Sequence, residues 1–389
     1  MSTLAALTAP PVLRSFALSF VARLPLTVIG VLVLLRTREL GFSYALAGVA
    51  AGAFTLGMSA GAPLVGRLVD RHGQLSVLCT TSLIAGAAIS VFALAPADSP
   101  LLIVALAGLV GFAQPPVSAC VRVLWGRLLS ERERDAMFAV DISAQGIAFI
   151  IGPVTMLWLA STAGAVTALF ATGILIVVGT MAFALDPVGR RHMGTSPTRI
   201  HSGPAAIAYP GVRTILAITA AVGVSFGAVE VGIVAAAERH QDVPLVVLLG
   251  AWSVGALVGG PLWGLRGGSG RHIRDALLLI SGLVACTATL AIPSSGWWVA
   301  AGLVLFGLLV TPFVTLLYTM LASAAPPEAL TEAYSWEVTG MTGGIALGTA
   351  AGGVCISASG LAGAFLLAGA AMLVSGVVLG LRIPTLRRD

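Results

Sequence analysis

Twelve predominantly apolar runs, each long enough to cross a bilayer, take up most of this 389-residue chain. A helical crossing needs about 20 such residues for roughly 30 Å of hydrocarbon. Within lipid the backbone must satisfy its own hydrogen bonds, so runs of this length are read as helices. Composition agrees: 58% of residues are hydrophobic, 10% are charged, and the mean hydropathy is +1.01. That excludes a soluble globular chain. The expected fold class is an all-α integral membrane protein with twelve transmembrane helices.

The runs repeat. Gly52, Ala53, Gly57, Gly61, Pro63, Leu64 and Gly66 recur 198 residues later as Gly250, Ala251, Gly255, Gly259, Pro261, Leu262 and Gly264. A second register, offset by 196, carries Gly111, Pro116, Gly152, Gly164, Ala168 and Gly173 onto Gly307, Pro312, Gly348, Gly360, Ala364 and Gly369. The same register sets Asp141 on Glu337. Two parallel repeats of six spans imply two pseudo-symmetric bundles, the plan of a secondary transporter with its site between them. Glycines within the spans permit close helix approach. The pair Gly57/Gly61 and its mate Gly255/Gly259 serve either plain helix packing or a sliding surface between halves.

The longest polar break, residues 186–210, contains Asp-Pro, Gly-Arg-Arg, Ser-Pro and Ser-Gly-Pro and reads as a linker. It separates an N-terminal bundle, 14–185, from a C-terminal bundle, 211–381, with tails at 1–13 and 382–389. All 21 basic residues are arginine, which points to a high-GC, bacterial genome. With a cytoplasmic N-terminus, seventeen arginines fall on the cytoplasmic side, Arg122 among them, and three (Arg36, Arg38 and Arg239) on the other, with Arg23 inside a span. The positive-inside rule then sets both termini in the cytoplasm of a cell whose inner membrane holds the protein. The pI of about 9.5 is therefore topology rather than a nucleic-acid footprint. The N-terminus shows no signal peptide. Cys79, Cys120, Cys286 and Cys355 sit in or beside spans, far apart, and read as packing residues; the His show no metal-ligand spacing. No cofactor is expected.

Between spans two and three lies Gly66-Arg67-Leu68-Val69-Asp70-Arg71-His72-Gly73-Gln74. Glycine allows a tight turn there, and Asp70 can face a helix N-terminus or an arginine. This Gly-x-x-x-Asp-Arg-x-Gly pattern resembles the signature of the major facilitator superfamily, and span count, repeat, linker and orientation agree along the whole chain. Gln74 departs from the family's usual basic residue, and in the second half Gly264-Leu265-Arg266-Gly267-Gly268 has lost the aspartate. Gly152-Pro153 in span five (137–159) partly resembles the motif of antiporter members, with Met156-Leu157 in place of its closing pair. The mid-span arginine of drug–proton antiporters is missing from span four (101–124), which reads Gly111-Phe112-Ala113-Gln114-Pro115-Pro116.

The resemblance implies that spans one, four, seven and ten line a central cavity. Candidate substrate or proton-coupling residues there are Arg23, Gln114, Glu230, Thr315 and Tyr318. Ionisable groups inside a membrane are expensive and read as functional by default. Arg23 lies nine residues into span one (14–35). Glu230, near the outer end of span seven (212–236), is the candidate proton carrier, since a low-dielectric site favours a carboxyl that can hold its proton. Asp141 and Glu337 come about one turn into spans five and eleven (334–357), where a helix N-terminus favours an acid. The repeat also suggests a gate, in which Arg67 or Arg71 meets Glu337 and one of Arg266, Arg271 and Arg274 meets Asp141. Asp70 and Gly73 complete the gating set.

These features imply a monomeric transporter working by alternating access, exchanging a small amphipathic or hydrophobic compound for protons across the bilayer. A facilitator or proton-coupled carrier of a polar metabolite such as a sugar is the alternative, and a transport-inactive sensor a third. No nucleotide-binding loop is present, no nucleic-acid partner is expected, and no nucleophile or metal constellation suggests an enzyme.

Overall fold

The computed structural model describes residues 9–42, 44–96, 99–193, 205–239, 242–266, 272–292 and 295–386. Arg271, and the side chain of Arg266, lie outside the described residues. The described residues contain twelve helical spans long and apolar enough to cross a membrane. Connections are short. Span two ends at His72 and span three begins at Gln74, so Gly73 alone makes the turn, at φ +86°. Only glycine takes that left-handed region without strain. Gly164 and its repeat mate Gly360 do the same between spans five and six and between eleven and twelve, at φ +86° and +70°.

Two spans that the sequence reads as continuous are broken. Span one runs as Pro10–Arg23, a 3-10 turn at Pro25–Thr27, and Ile29–Glu39. Span four stops at Pro100–Phe112 and resumes as Val117–Leu128. Pro25, and the Pro115-Pro116 pair, lack the amide that would continue each helix. Their counterparts, spans seven and ten, are single helices, Pro210–Arg239 and Gly296–Ala324. Hydropathy windows read straight through the prolines and so do not predict the breaks.

Contacts divide the chain into two compact units. Unit one is Met1–Leu129, Ile147–Ala205 and Glu328–Ser335; unit two is Ser130–Gly146, Ala206–Pro327 and Trp336–Asp389. They follow the sequence halves except that the start of span five belongs to unit two and the start of span eleven to unit one.

Within each unit the repeat becomes a repeated contact. A Cβ on Gly57 or Gly61 would fall on the backbone carbonyls of Gly108 or Phe112 in span four. A Cβ on Gly255 or Gly259 would fall on those of Val304 or Leu308 in span ten, the residues 196 after Gly108 and Phe112. Gly111 and Gly307 return the approach against Phe54 and Trp252. The paired glycines therefore seat span two on span four and span eight on span ten inside their own units. Plain helix packing is what they do.

Unit one is also fastened at its ends. Asp186, buried at the start of the linker, accepts from the Arg14 guanidinium and the Ser15 hydroxyl. At the opposite end Arg36 donates to the Ala93 carbonyl closing span three, 3.1 Å away, and Glu39 accepts from the Ala165 amide opening span six at 3.2 Å. A cation on a helix C-terminus and an anion on an N-terminus both follow the helix dipole.

Candidate functional site

The signature segment sits where span two meets the beginning of span eleven, within unit one. Asp70 accepts from two consecutive amides, Thr331 N at 3.2 Å and Glu332 N at 2.8 Å. These belong to the first turn of the helix Leu330–Ser359, whose leading amides have no partner of their own. The carboxylate thus caps a helix preceded by Pro326-Pro327-Glu328-Ala329, a stretch without a Ser, Thr, Asn or Asp to do so locally. Gly66 admits the contact: a Cβ there would fall on the Ser335 hydroxyl. Arg67 lies 3.8 Å from Glu332, not Glu337, in a pair with one partner a third exposed. Arg71 is exposed.

Unit two holds the corresponding junction, between spans eight and ten and the beginning of span five. Gly264, the mate of Gly66, would bring a Cβ to 3.1 Å from the Ala136 backbone. In this half the helix start is held locally: the Ser130 amide and hydroxyl both donate to Glu133, at 3.0 and 2.7 Å, one half of a capping box. Deeper in, Asp135 accepts from the Thr319 hydroxyl at 2.6 Å. The two junctions also share a ring contact. In unit one the Arg122 guanidinium stands 6.0 Å over the Tyr334 ring. In unit two Tyr318 and Phe138, the residues related to that pair by the 196 offset, meet edge to face at 5.9 Å.

Asp141 and Glu337 do not sit in first turns. Span five's helix begins at Glu131 and span eleven's at Leu330, which sets the two acids ten and seven residues in, roughly 15 and 10 Å along the axis. Both are buried in unit two. The sequence shortens these helices because their opening turns are polar and read as loop. Arg274, the candidate partner of Asp141 that the structure describes, is exposed.

The mid-membrane candidates separate by accessibility. Arg23 closes the first half of span one, is 4% exposed, and donates to the Ser19 carbonyl at 3.1 Å. Gln114 lies in the break of span four, its side-chain nitrogen buried without a hydrogen-bond partner. Gly152 presses span five on the break of span one, where a Cβ would collide with Thr27 and come within 2.6 Å of the Leu24 carbonyl. Pro153 follows inside an uninterrupted helix. Thr315 and Tyr318 are buried, and the Thr315 hydroxyl donates to the Thr311 carbonyl one turn back at 2.9 Å. Glu230 differs. It is exposed on span seven, and among the described residues nothing donates to it or pairs with it.

A profile of the Major Facilitator Superfamily matches residues 15–265, well over half of the chain. The chain belongs to the major facilitator superfamily. No curated protein matches its sequence. Solved structures share the fold across nearly its whole length. The human organic anion transporter MFSD10 (TETRAN) superposes with a TM-score of 0.72 at 15% identity, covering 96% of this chain and 100% of that one. A bacterial homologue of the iron transporter ferroportin, outward-facing with soaked iron, gives 0.74 at 13% identity, over 95% and 98%. A point variant of the E. coli fucose:proton symporter FucP gives 0.70 at 13% identity, over 97% and 99%.

This major facilitator protein is therefore a multi-pass membrane transporter and not an enzyme. Several of its structured polar residues are not evident from sequence. Arg122 falls among the cytoplasmic-side arginines by position, yet is 2% exposed. Its repeat mate, the aromatic Tyr318, is the available signal that the position faces packing. Asp135, Asp186 and Glu332 are likewise buried, and each lies in what reads as a polar connection.

Proposed function

We propose that this transporter exports a small amphipathic or hydrophobic compound in exchange for protons, with Glu230 as the proton carrier. One observation carries the reading: Glu230 is exposed in an apolar span without a partner among the described residues. A carboxylate facing hydrocarbon costs about 3 kcal/mol or more, so the face that bears it is read as the wet, translocating one. Thr311 and Thr315 donate their hydroxyls to their own helix, which takes two donors away from a polar solute such as a sugar. Alternating access moves the two bundles about the site. Arg67, Asp70, Arg71 and Gly73 hold the gate at the start of span eleven, and Asp141 and Glu337 are repeat-related buried acids of unit two that serve gating. The arginine asymmetry supports cytoplasmic termini in a bacterial inner membrane, and the chain acts as a monomer.

The test is transport in proteoliposomes carrying an internal pH dye while a compound panel is screened. Wild-type protein should accumulate its substrate when a proton gradient is imposed. Glu230→Gln should abolish that accumulation yet keep gradient-free exchange. A Gln variant that still concentrates substrate with unchanged pH dependence would show Glu230 to be structural.

A further inference from the structure

Around Glu230, unit two builds more than a lone acid. Phe226, one turn earlier, lies on the same helix face, since residues four apart are neighbours. Its ring meets that of Trp252 in span eight at 5.4 Å with the planes at 87°. Phe306, fully buried in span ten, backs both, at 6.2 Å from Phe226 and 5.8 Å from Trp252. Phe226 and Trp252 stay partly exposed. Two perpendicular rings form a corner, and Val234, 46% exposed one turn beyond Glu230, continues the apolar face.

We propose that this corner and the Glu230 carboxylate form a binding site for a lipophilic organic monocation. Aromatic faces attract cations through their quadrupoles and bury aryl groups, and aromatic cages are a known recognition mode for quaternary ammonium. The carboxylate supplies the opposite charge. The apolar walls reject hydrophilic cations, which would lose their hydration there without replacement. This deepens the export reading and rests on it, because a proton and an organic cation cannot both occupy one carboxylate. Spans eight, ten and twelve carry no ionisable side chain at the level of this corner. On span eleven the acids are Glu332 and Glu337, twelve or more residues before Thr349, which packs by Gly227. The other ionisable residues at this end of the helix are Glu238, Arg239, His240 and Asp242. Arg239, which closes the helix, and Asp242 are exposed, while His240 and the side chain of Glu238 lie outside the described residues.

Equilibrium binding of radiolabelled tetraphenylphosphonium to the purified protein, beside the neutral triphenylphosphine oxide, tests the site. The wild type should favour the cation about tenfold or more, and lose that preference as pH falls from 8 to 5.5. Glu230→Gln should weaken the cation by a similar factor at pH 8, remove its pH dependence and leave the neutral compound within about twofold. Trp252→Ala should weaken both compounds, with Trp252→Phe restoring the cation in part. Glu230→Asp provides a charged control if the Gln variant does not fold. Equal binding of the two compounds, an unchanged ratio in Glu230→Gln, or no cation binding at all would overturn the site. The outcomes separate from those of the transport assay. Proton-driven export of neutral compounds with no cation binding removes this site alone. Cation binding with coupling intact in Glu230→Gln removes the proton-carrier reading alone.

Discussion

Asp70 shows how one side chain can outweigh its charged neighbours. It holds two backbone amides of span eleven, and a hydrogen bond to a charged group contributes about 1.5–3 kcal/mol. The nearby Arg67–Glu332 pair is partly open to solvent and contributes about 0–1 kcal/mol. Asp70→Ala should therefore raise hydrogen exchange at the Thr331 and Glu332 amides by about tenfold or more, and Arg67→Ala should change it little. Equal effects from both variants would contradict the capping geometry. Asp70→Asn, which keeps an acceptor, should fall between. The sequence offered Asp70 either a helix N-terminus or an arginine, and the tight glycine turn beside it does not choose between the two. Nor was the identity of the paired acid legible there. Glu332 and Glu337 are five residues apart, and choosing between them needs the start of the helix. A polar first turn hides that start.

At the scale of elements, hydropathy revealed all twelve spans and the repeat revealed which of them correspond. The breaks in spans one and four, and the early starts of spans five and eleven, were illegible for a common reason. Averaging over a window blurs a single proline and discounts a polar turn that caps or tertiary contacts make helical. The glycine contacts give a sharp element-scale expectation. Helix propensity alone favours alanine over glycine by about 1 kcal/mol. Gly52 has open space around its Cβ position, whereas at Gly57 that position is filled by the Gly108 carbonyl. Gly52→Ala should be neutral or slightly stabilising, and Gly57→Ala should cost roughly 1–3 kcal/mol as spans two and four are forced apart. Thermal unfolding of the two variants in the same detergent distinguishes them. A matching rise in Tm for both would mean that span four does not approach so closely. Gly255→Ala should reproduce the Gly57→Ala loss in the second unit.

For the whole molecule, orientation is the property on which the gate assignment depends. Single cysteines in a cysteine-free background, one replacing Arg191 and one Ser99, should label from opposite sides. The Arg191 position should be reached only from the cytoplasm. The reverse pattern would invert the topology and move the Asp70 junction to the outer face. The exchanged segments have a consequence for how the protein is made. Unit one cannot be finished from its own half of the chain, because its last piece, Glu328–Ser335, lies about two hundred residues downstream of Leu129. At roughly 5–20 residues per second, the ribosome delivers that piece some 10–40 seconds later. During that interval the Asp70 carboxylate, the Gly66 notch and the Arg122 guanidinium await a helix not yet synthesised. A nascent chain stopped after span ten should accordingly be cleaved by membrane proteases at the span two–three turn, and one extended past Ser335 should resist.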